Sequence, residues 1–323
     1  MKSWKLIAIM AVAALAACLF CGCSSTAAES EPESEVEEVA QMSDQVSDAV
    51  EPEYELSMDP FYVLVMGLDS RDGTVEDGAS KSRSDTMMLV RVDPNTREIG
   101  LLSIPRDTYA WVDNTDNKIN EAYYIDGPEA AIDQVELLTG VRADYYMTTT
   151  FVGFTDFIDG IGGVDAYVPI DMDFKNIITG DREYLTAGDQ HLTGGQALVL
   201  ARVRKAYSWD GDTHRQTNSR GMVQTIIRNA ASNPDQVAAW SDILYKDCET
   251  NLDRQAFDGY VQLFCEHADE ITFVDGTTPY ANGMDDAIGL WVVYRDEETS
   301  HACAEAVNNH EDPKAIVPLP ETY

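Results

Sequence analysis

The sequence predicts a single α/β domain with helices on both faces of a mixed sheet. Three observations carry this expectation. Short, continuous apolar runs rich in β-branched and aromatic residues recur through the body, as strands buried on both faces require. Stretches with an apolar stripe at helical spacing alternate with them. Two of the apolar runs are joined by the tight turn Asp93-Pro94-Asn95, which makes them antiparallel neighbours.

The elements follow in chain order. Phe61 to Gly67 is the first buried strand, Thr86 to Val92 the second and Glu98 to Ile104 the third, the last two forming the hairpin. Gly127 to Thr139 carries Ala130, Ala131, Ile132, Val135 and Leu138 on one face, which predicts an amphipathic helix. Tyr145 to Thr150 is a strand, Phe151 to Ile161 a helix stopped by Gly162-Gly163, and Val164 to Pro169 a strand. A helix opens at Gly194-Gly195 and is expected to end near Arg202 and Arg204, since two arginines two apart splay on a helix but share a face when extended. Asp212, Arg215 and Asn218, spaced by three, line one side of a further helical segment, and Met222 to Ala231, Ala238 to Tyr245 and Arg254 to Ala268 are helices. After Glu270 the chain is expected to be loop-rich, with Ile288 to Tyr294 as the closing strand of the sheet. There is no internal repeat.

Composition limits the function classes. The 323 residues hold 22 Lys plus Arg against 57 Asp plus Glu, a formal charge of −35. Nucleic acid and anionic lipid surfaces would repel such a chain, so membrane contact must be hydrophobic or covalent. Residues 1–23 supply it: Lys2 and Lys5, then the apolar run Leu6 to Ala17, then Leu15-Ala16-Ala17-Cys18, which has the layout of a lipoprotein signal with Cys18 as the lipidated residue. Cys23 is the second candidate, and an uncleaved signal anchor is the competing reading. Both place the body outside the cytoplasmic membrane. Residues 24–59, rich in Glu, Ser and Pro, form an acidic disordered linker, and residues 60–323 form the folded domain. Cys248, Cys265 and Cys303 have no zinc-site spacing; one disulfide and one thiol, or three buried thiols, are both compatible with the export route.

Against so acidic a background, grouped arginines point to a phosphate, whose oxygens match a guanidinium with two parallel hydrogen bonds. Gly67-Leu68-Asp69-Ser70-Arg71 stands at the carboxyl end of a buried strand, where open α/β sheets bind ligands. Arg83-Ser84-Asp85-Thr86 leads into the next strand. Asp69 and Asp85, at the mouths of neighbouring strands, suit one hard divalent cation shared with substrate phosphate; they read equally as a turn residue and a partner for Arg83. Pro105 fixes the direction of Arg106, and Lys118 with Asn120 adds a cation and an amide at the same rim. Arg202, Arg204, Asp212, Arg215, Asn218 and Arg220 form the last cluster. No serine triad, cysteine–histidine pair or P-loop is present, and His191, His214, His267, His301 and His310 have no metal-ligand spacing. Electrostatic activation of a phosphoryl group is the chemistry left.

The ordered set Gly67-Leu-Asp-Ser-Arg71, Arg83-Ser-Asp-Thr86, Ser103-Ile-Pro-Arg-Asp107, Lys118-Ile-Asn120, Gly162-Gly-Val164, Leu192-Thr-Gly-Gly-Gln-Ala-Leu198, Arg202-Val-Arg204 and Asp212-Thr-His-Arg215 resembles the LytR–CpsA–Psr family over about residues 61–231. The resemblance implies an α/β/α three-layer sandwich around a mixed central sheet, with a long apolar pocket for a polyprenyl tail. It implies a phosphotransferase that moves an anionic glycopolymer (teichoic acid, capsule or a related polysaccharide) from an undecaprenyl-pyrophosphate carrier to a peptidoglycan sugar hydroxyl. By the same resemblance Asp69 and Asp85 bind Mg²⁺ (or Mn²⁺). Arg83, Arg106, Arg202, Arg204 and Arg215 hold the pyrophosphate, with Lys118 and Asn218 beside them, and Asp212 orients the arginines or acts as base. Two departures stand out: Ser219 and Arg220 follow Asn218 where the family commonly has Gln, and a lipoprotein signal replaces the usual transmembrane anchor. Polyprenyl-pyrophosphate hydrolysis, and non-catalytic binding of a polyprenyl phosphate by a regulatory lipoprotein, are the alternative functions.

Overall fold

The structure is a computed structural model that describes residues 56–70, 82–207 and 210–320. The signal segment, residues 24–55 of the acidic linker, Cys18, Cys23 and Arg71 lie outside the described residues; Leu56, at the linker's end, packs against the core, and Asn95 donates to Met58 O (2.7 Å). The elements are β1 (Phe61–Leu68), β2 (Ser84–Asp93), β3 (Glu98–Ser103), β4 (Tyr109–Val112), β5 (Thr115–Lys118), α1 (Glu121–Thr139), β6 (Tyr145–Thr149), α2 (Phe151–Gly160), β7 (Val164–Val168), β8 (Met172–Lys175), β9 (Arg182–Leu185), β10 (Gly188–Leu192), α3 (Gly194–Arg202) and α4 (Gly211–Ser232). They continue with α5 (Val237–Asp247), β11 (Glu249–Thr250), α6 (Arg254–Glu266), β12 (Thr272–Thr277), β13 (Asn282–Asp285), β14 (Leu290–Val293) and α7 (Glu297–Asn308).

The central sheet has six strands in the order β11-β6-β1-β2-β3-β12. β1–β2 and β2–β3 are antiparallel, β1–β6 and β3–β12 parallel, so the sheet is mixed as the hairpin at Asp93 requires. Alternation along β1 divides the core. Val63 and Val65 face a layer that includes Phe154, Leu198, Met222 and Phe257, whereas Leu64, Met66 and Leu68 face Ile132, Val135, Cys303 and Val307. The result is the three-layer sandwich, with α2, α3, α4 and α6 on one face and α1 and α7 on the other. Four two-stranded sheets decorate it: the hairpins β4–β5, β8–β9 and β13–β14, and the pair β7–β10, which encloses β8–β9 in the chain.

Where structure and sequence expectation differ, the causes are local. α1 begins at Glu121 rather than Gly127, because a kink divides it: Gly127 has φ +71°, and Pro128 follows without an amide hydrogen to give. The expected closing strand, now β14, pairs with β13 in a separate hairpin. The sheet is closed instead by β12, whose Asp275-Gly276-Thr277 has loop-like composition; Gly276 there admits the ring of Pro313, and Thr277 is buried. α7 was not expected, although Asp296 caps it by accepting from Thr299 N–H (2.9 Å) and two glutamates occupy its first turn. No disulfide joins Cys248, Cys265 and Cys303, and burial pushes the Cys303 thiol up to about 11. No helix among the described residues is long and apolar enough to cross a membrane.

Candidate active site

The site forms where three loops and two helix ends meet at one edge of the sandwich. Asp69 leaves β1 and ties the approach to β2: its amide donates to Arg83 O (3.0 Å), and its Oδ1 accepts from Arg83 N–H (2.8 Å). The Arg83 side chain turns to Glu121 at the start of α1 and lies 5.5 Å from the ring of Tyr124. The kink in α1 is what sets this short first segment across the strand ends.

Arg106, presented after β3 by Pro105, pairs with Asp85 and lies 3.7 Å from Asp107. Lys118, at the end of β5, donates to Asp107 Oδ1 (2.9 Å). α3 ends between the two arginines of the last cluster, with Val203 extended at ψ 131°. They therefore diverge: Arg202 lies over the Phe151 ring at 4.2 Å, while Arg204 is 3.5 Å from both Asp107 and Asp212. Gly211 permits this, because a Cβ there would collide with the carbonyl of Arg204. On α4, Arg215 is 5% exposed at its side chain, gives Nε to Asp212 Oδ1 (2.9 Å) and donates from a terminal nitrogen to Thr86 Oγ1 (3.0 Å). Gln216 holds the other oxygen of Asp212 (2.8 Å) and accepts in turn from Thr277 (2.9 Å).

Asp85, Arg106, Asp107, Lys118, Arg204, Asp212 and Arg215 thus form one charge network. Burial pushes the Asp212 carboxyl up, but Arg215, Gln216 and Arg204 outweigh it and pull it down to about 2. Such a group is a fixed anion and a poor proton acceptor. Asn218 does not join the network; its amide donates to Tyr207 Oη (2.7 Å) and Leu200 O (3.3 Å) and so braces the loop that carries Arg204. Arg220 faces inward, its guanidinium bound to Asp275 (3.0 Å), Ser103 (2.8 Å) and Thr217 (3.0 Å).

An apolar slot adjoins the network between the sheet and the helices. Val65, Met88, Phe154, Leu198, Met222 and Val223 line it, with Thr86, Thr150 and Arg202 among its polar walls. Its volume is about 70 Å³, well below the ~300 Å³ where ordinary ligand pockets begin. Thr86 belongs to both slot and network, so the slot opens on Arg202 and Thr86 and not on Arg106. Thr150, which is 1% exposed, has a hydroxyl with no hydrogen-bond partner. Sequence reasoning missed Thr150 and Gln216 because polar residues at strand ends and in helices carry no pattern. It named Thr86 and Asp107 only within motifs.

No group of three or more His, Cys, Asp or Glu among the described residues could hold a metal alone. A hard cation held mainly by phosphate needs only one or two carboxylates. Asp69 and Asp85 fit that demand: they leave adjoining ends of β1 and β2, and each uses one oxygen, toward Arg83 N–H and Arg106 respectively.

The LytR_cpsA_psr family profile matches residues 20–303. The polyisoprenyl-teichoic acid–peptidoglycan teichoic acid transferase TagU of Bacillus mycoides (strain KBAB4) is 34% identical over 221 residues, 67% of this chain and 68% of its own. The crystal structure of Bacillus subtilis TagV superposes with a TM-score of 0.65 at 26% identity, covering 82% of this chain and 100% of that one. TagT bound to LI-WTA, at 21% identity and a TM-score of 0.60 over 80% of this chain and 94% of that one, shares the fold.

Proposed function

This chain is a member of the LytR_cpsA_psr family, and from that premise we propose that it transfers an anionic glycopolymer from a polyprenyl-pyrophosphate carrier to a sugar hydroxyl of peptidoglycan, on the outer face of the cytoplasmic membrane. The observation that supports this most is the junction of unlike surfaces at Thr86: an arginine-rich network meets an apolar slot across one residue. A polyprenyl pyrophosphate is amphipathic in the same sense.

In this reading Arg202, Arg204 and Arg106 hold the pyrophosphate oxygens, and the ion pairs seen here exchange a carboxylate for a phosphate when substrate binds. Arg215, fixed by Thr86 and Asp212, supplies a charge that does not move. Thr150 gives its hydroxyl hydrogen to a phosphate oxygen. Asp69 and Asp85 hold Mg²⁺, which when bound neutralises the pyrophosphate and polarises its bridging bond. The acceptor hydroxyl attacks the phosphorus bearing the glycopolymer, forming a new phosphodiester. The bond to the carrier's phosphate breaks, and polyprenyl phosphate departs with the electron pair and takes up the hydroxyl proton. Asp212 orients Arg204 and Arg215, whose guanidinium groups together with Gln216 hold its carboxyl low.

The test is reconstitution of the full chain with a lipid-linked glycopolymer and peptidoglycan, reading both polymer attachment and polyprenyl phosphate release. Arg106→Ala should cut attachment by about 10²–10³-fold with the melting temperature unchanged. Asp69→Ala should remove the divalent-cation dependence. Full activity in both variants would sink the proposal. Release with no attachment, peptidoglycan being present, would make the protein a hydrolase.

A further inference from the structure

A second pocket, of about 330 Å³, shares Leu198 and Arg202 of α3 with the slot and lies between the end of that helix and the β8–β9 hairpin. Arg202 and Arg204 line it together with Lys175 at the end of β8 and Lys205, over an apolar floor that includes Phe174 and Ile177. No carboxylate lines it. That is unusual in a chain with 57 acidic residues against 22 basic ones. The lysines that pair with carboxylates among the described residues are Lys118, Lys246 and Lys314, not these two. The larger groove beside α4, of about 640 Å³, sets Asp165 and Asp189 against His191 and Arg228 and so lacks the unopposed positive charge of the smaller pocket.

We propose that this pocket is the subsite for the phosphate-bearing polymer segment next to the pyrophosphate, with Lys175 and Lys205 as its charge contacts. The inference rests on the transferase reading. It adds that the donor divides at the end of α3, lipid in the slot and polymer in this pocket, with the pyrophosphate at Arg202 and Arg204 between them. Alternating chemistry fits alternating ligand: sugar or polyol faces lie on Phe174 and Ile177, and phosphodiesters meet the lysines. Neither lysine belongs to the arginine–aspartate network, so their role is affinity for the polymer and not the chemical step.

The experiment compares wild type with Lys175→Gln/Lys205→Gln on two donors, one carrying phosphodiester repeats and one a neutral oligosaccharide of similar length. For the phosphodiester donor KM should rise about five- to tenfold with kcat unchanged, as loss of two exposed charge contacts implies. The neutral donor should show no change, and the difference should shrink as salt is raised. Equal losses on both donors, or none on either, overturn the subsite. A lipid-free oligomer of poly(glycerol phosphate) gives an independent reading by calorimetry. If wild type binds it in a lysine-dependent way but attaches neither donor to peptidoglycan, the subsite stands and the transferase reading fails. If the double variant loses binding to anionic vesicles instead, the pocket is a membrane contact and the proposal falls.

Discussion

Asp212 accepts from Arg215 through one oxygen and from Gln216 through the other, and it is held at about 2 by them. Its folded value lies below the ordinary carboxylate range, so the stability it contributes is present above pH 4 and is lost as pH falls through 2. Asp212→Asn should therefore cost about 2 kcal/mol at neutral pH. Urea unfolding should show variant and wild type converging between pH 4 and pH 2; a gap that persists at pH 2 would mean that packing, not charge, is lost. The acid limb of the rate profile should not move with this residue. At this scale the sequence was informative where a residue type is scarce: Arg106, Arg204 and Arg215 stand out in an acidic chain. It could not tell which of two spaced residues turns inward. Asn218, on the same helix as Arg215, was expected beside the pyrophosphate, yet it braces a loop; Arg220, left outside the set that the resemblance implied, is buried behind the sheet edge.

α4 carries the site and is fixed from its buried side. Arg220, 1% exposed, links the helix to β3 through Ser103 and to β12 through Asp275. Burial alone pulls the Arg220 guanidinium down, while Asp275 is held low by Lys314 and Arg220 despite its own burial. Removing the arginine leaves that carboxylate with half its compensation. Arg220→Ala should destabilise by about 3–5 kcal/mol, and Arg220→Met by clearly less, because the methionine fills the space without a charge. Chemical unfolding of both variants checks this; equal losses would show that the lost charge and hydrogen bonds, not the volume, set the cost. The long periodic elements, β1 to β3, α2 and α3, were readable because each must bury a whole face. β12 and α7 were not. β12 is an edge strand whose Asp, Gly and Thr serve Arg220, Pro313 and the core, so its composition answers to its neighbours and not to its own strand.

The whole molecule carries −35 of formal charge, so it needs something other than surface electrostatics to stay near a lipid substrate. The proposed anchor at Cys18 fills that need. Cys18→Ser should shift the protein from the detergent phase to the aqueous phase on partition; a shift seen only with Cys23→Ser would move the lipid to that residue. The order of motifs along the chain made the assembly visible in the sequence, because the charged motifs fall at strand or helix ends on one edge of the sandwich. What the order could not convey is the width of the space between the layers. At about 70 Å³ the slot has room for a few waters and not for an isoprenoid chain. In the proposed reaction, α2 and α4 part from β1 and β2 to admit a polyprenyl tail and close again behind it. If so, the slow event in each cycle is the withdrawal of the spent carrier. Rapid-quench measurements should then show a burst of product close to one equivalent of enzyme, followed by a slower steady state that quickens with detergents able to extract the lipid.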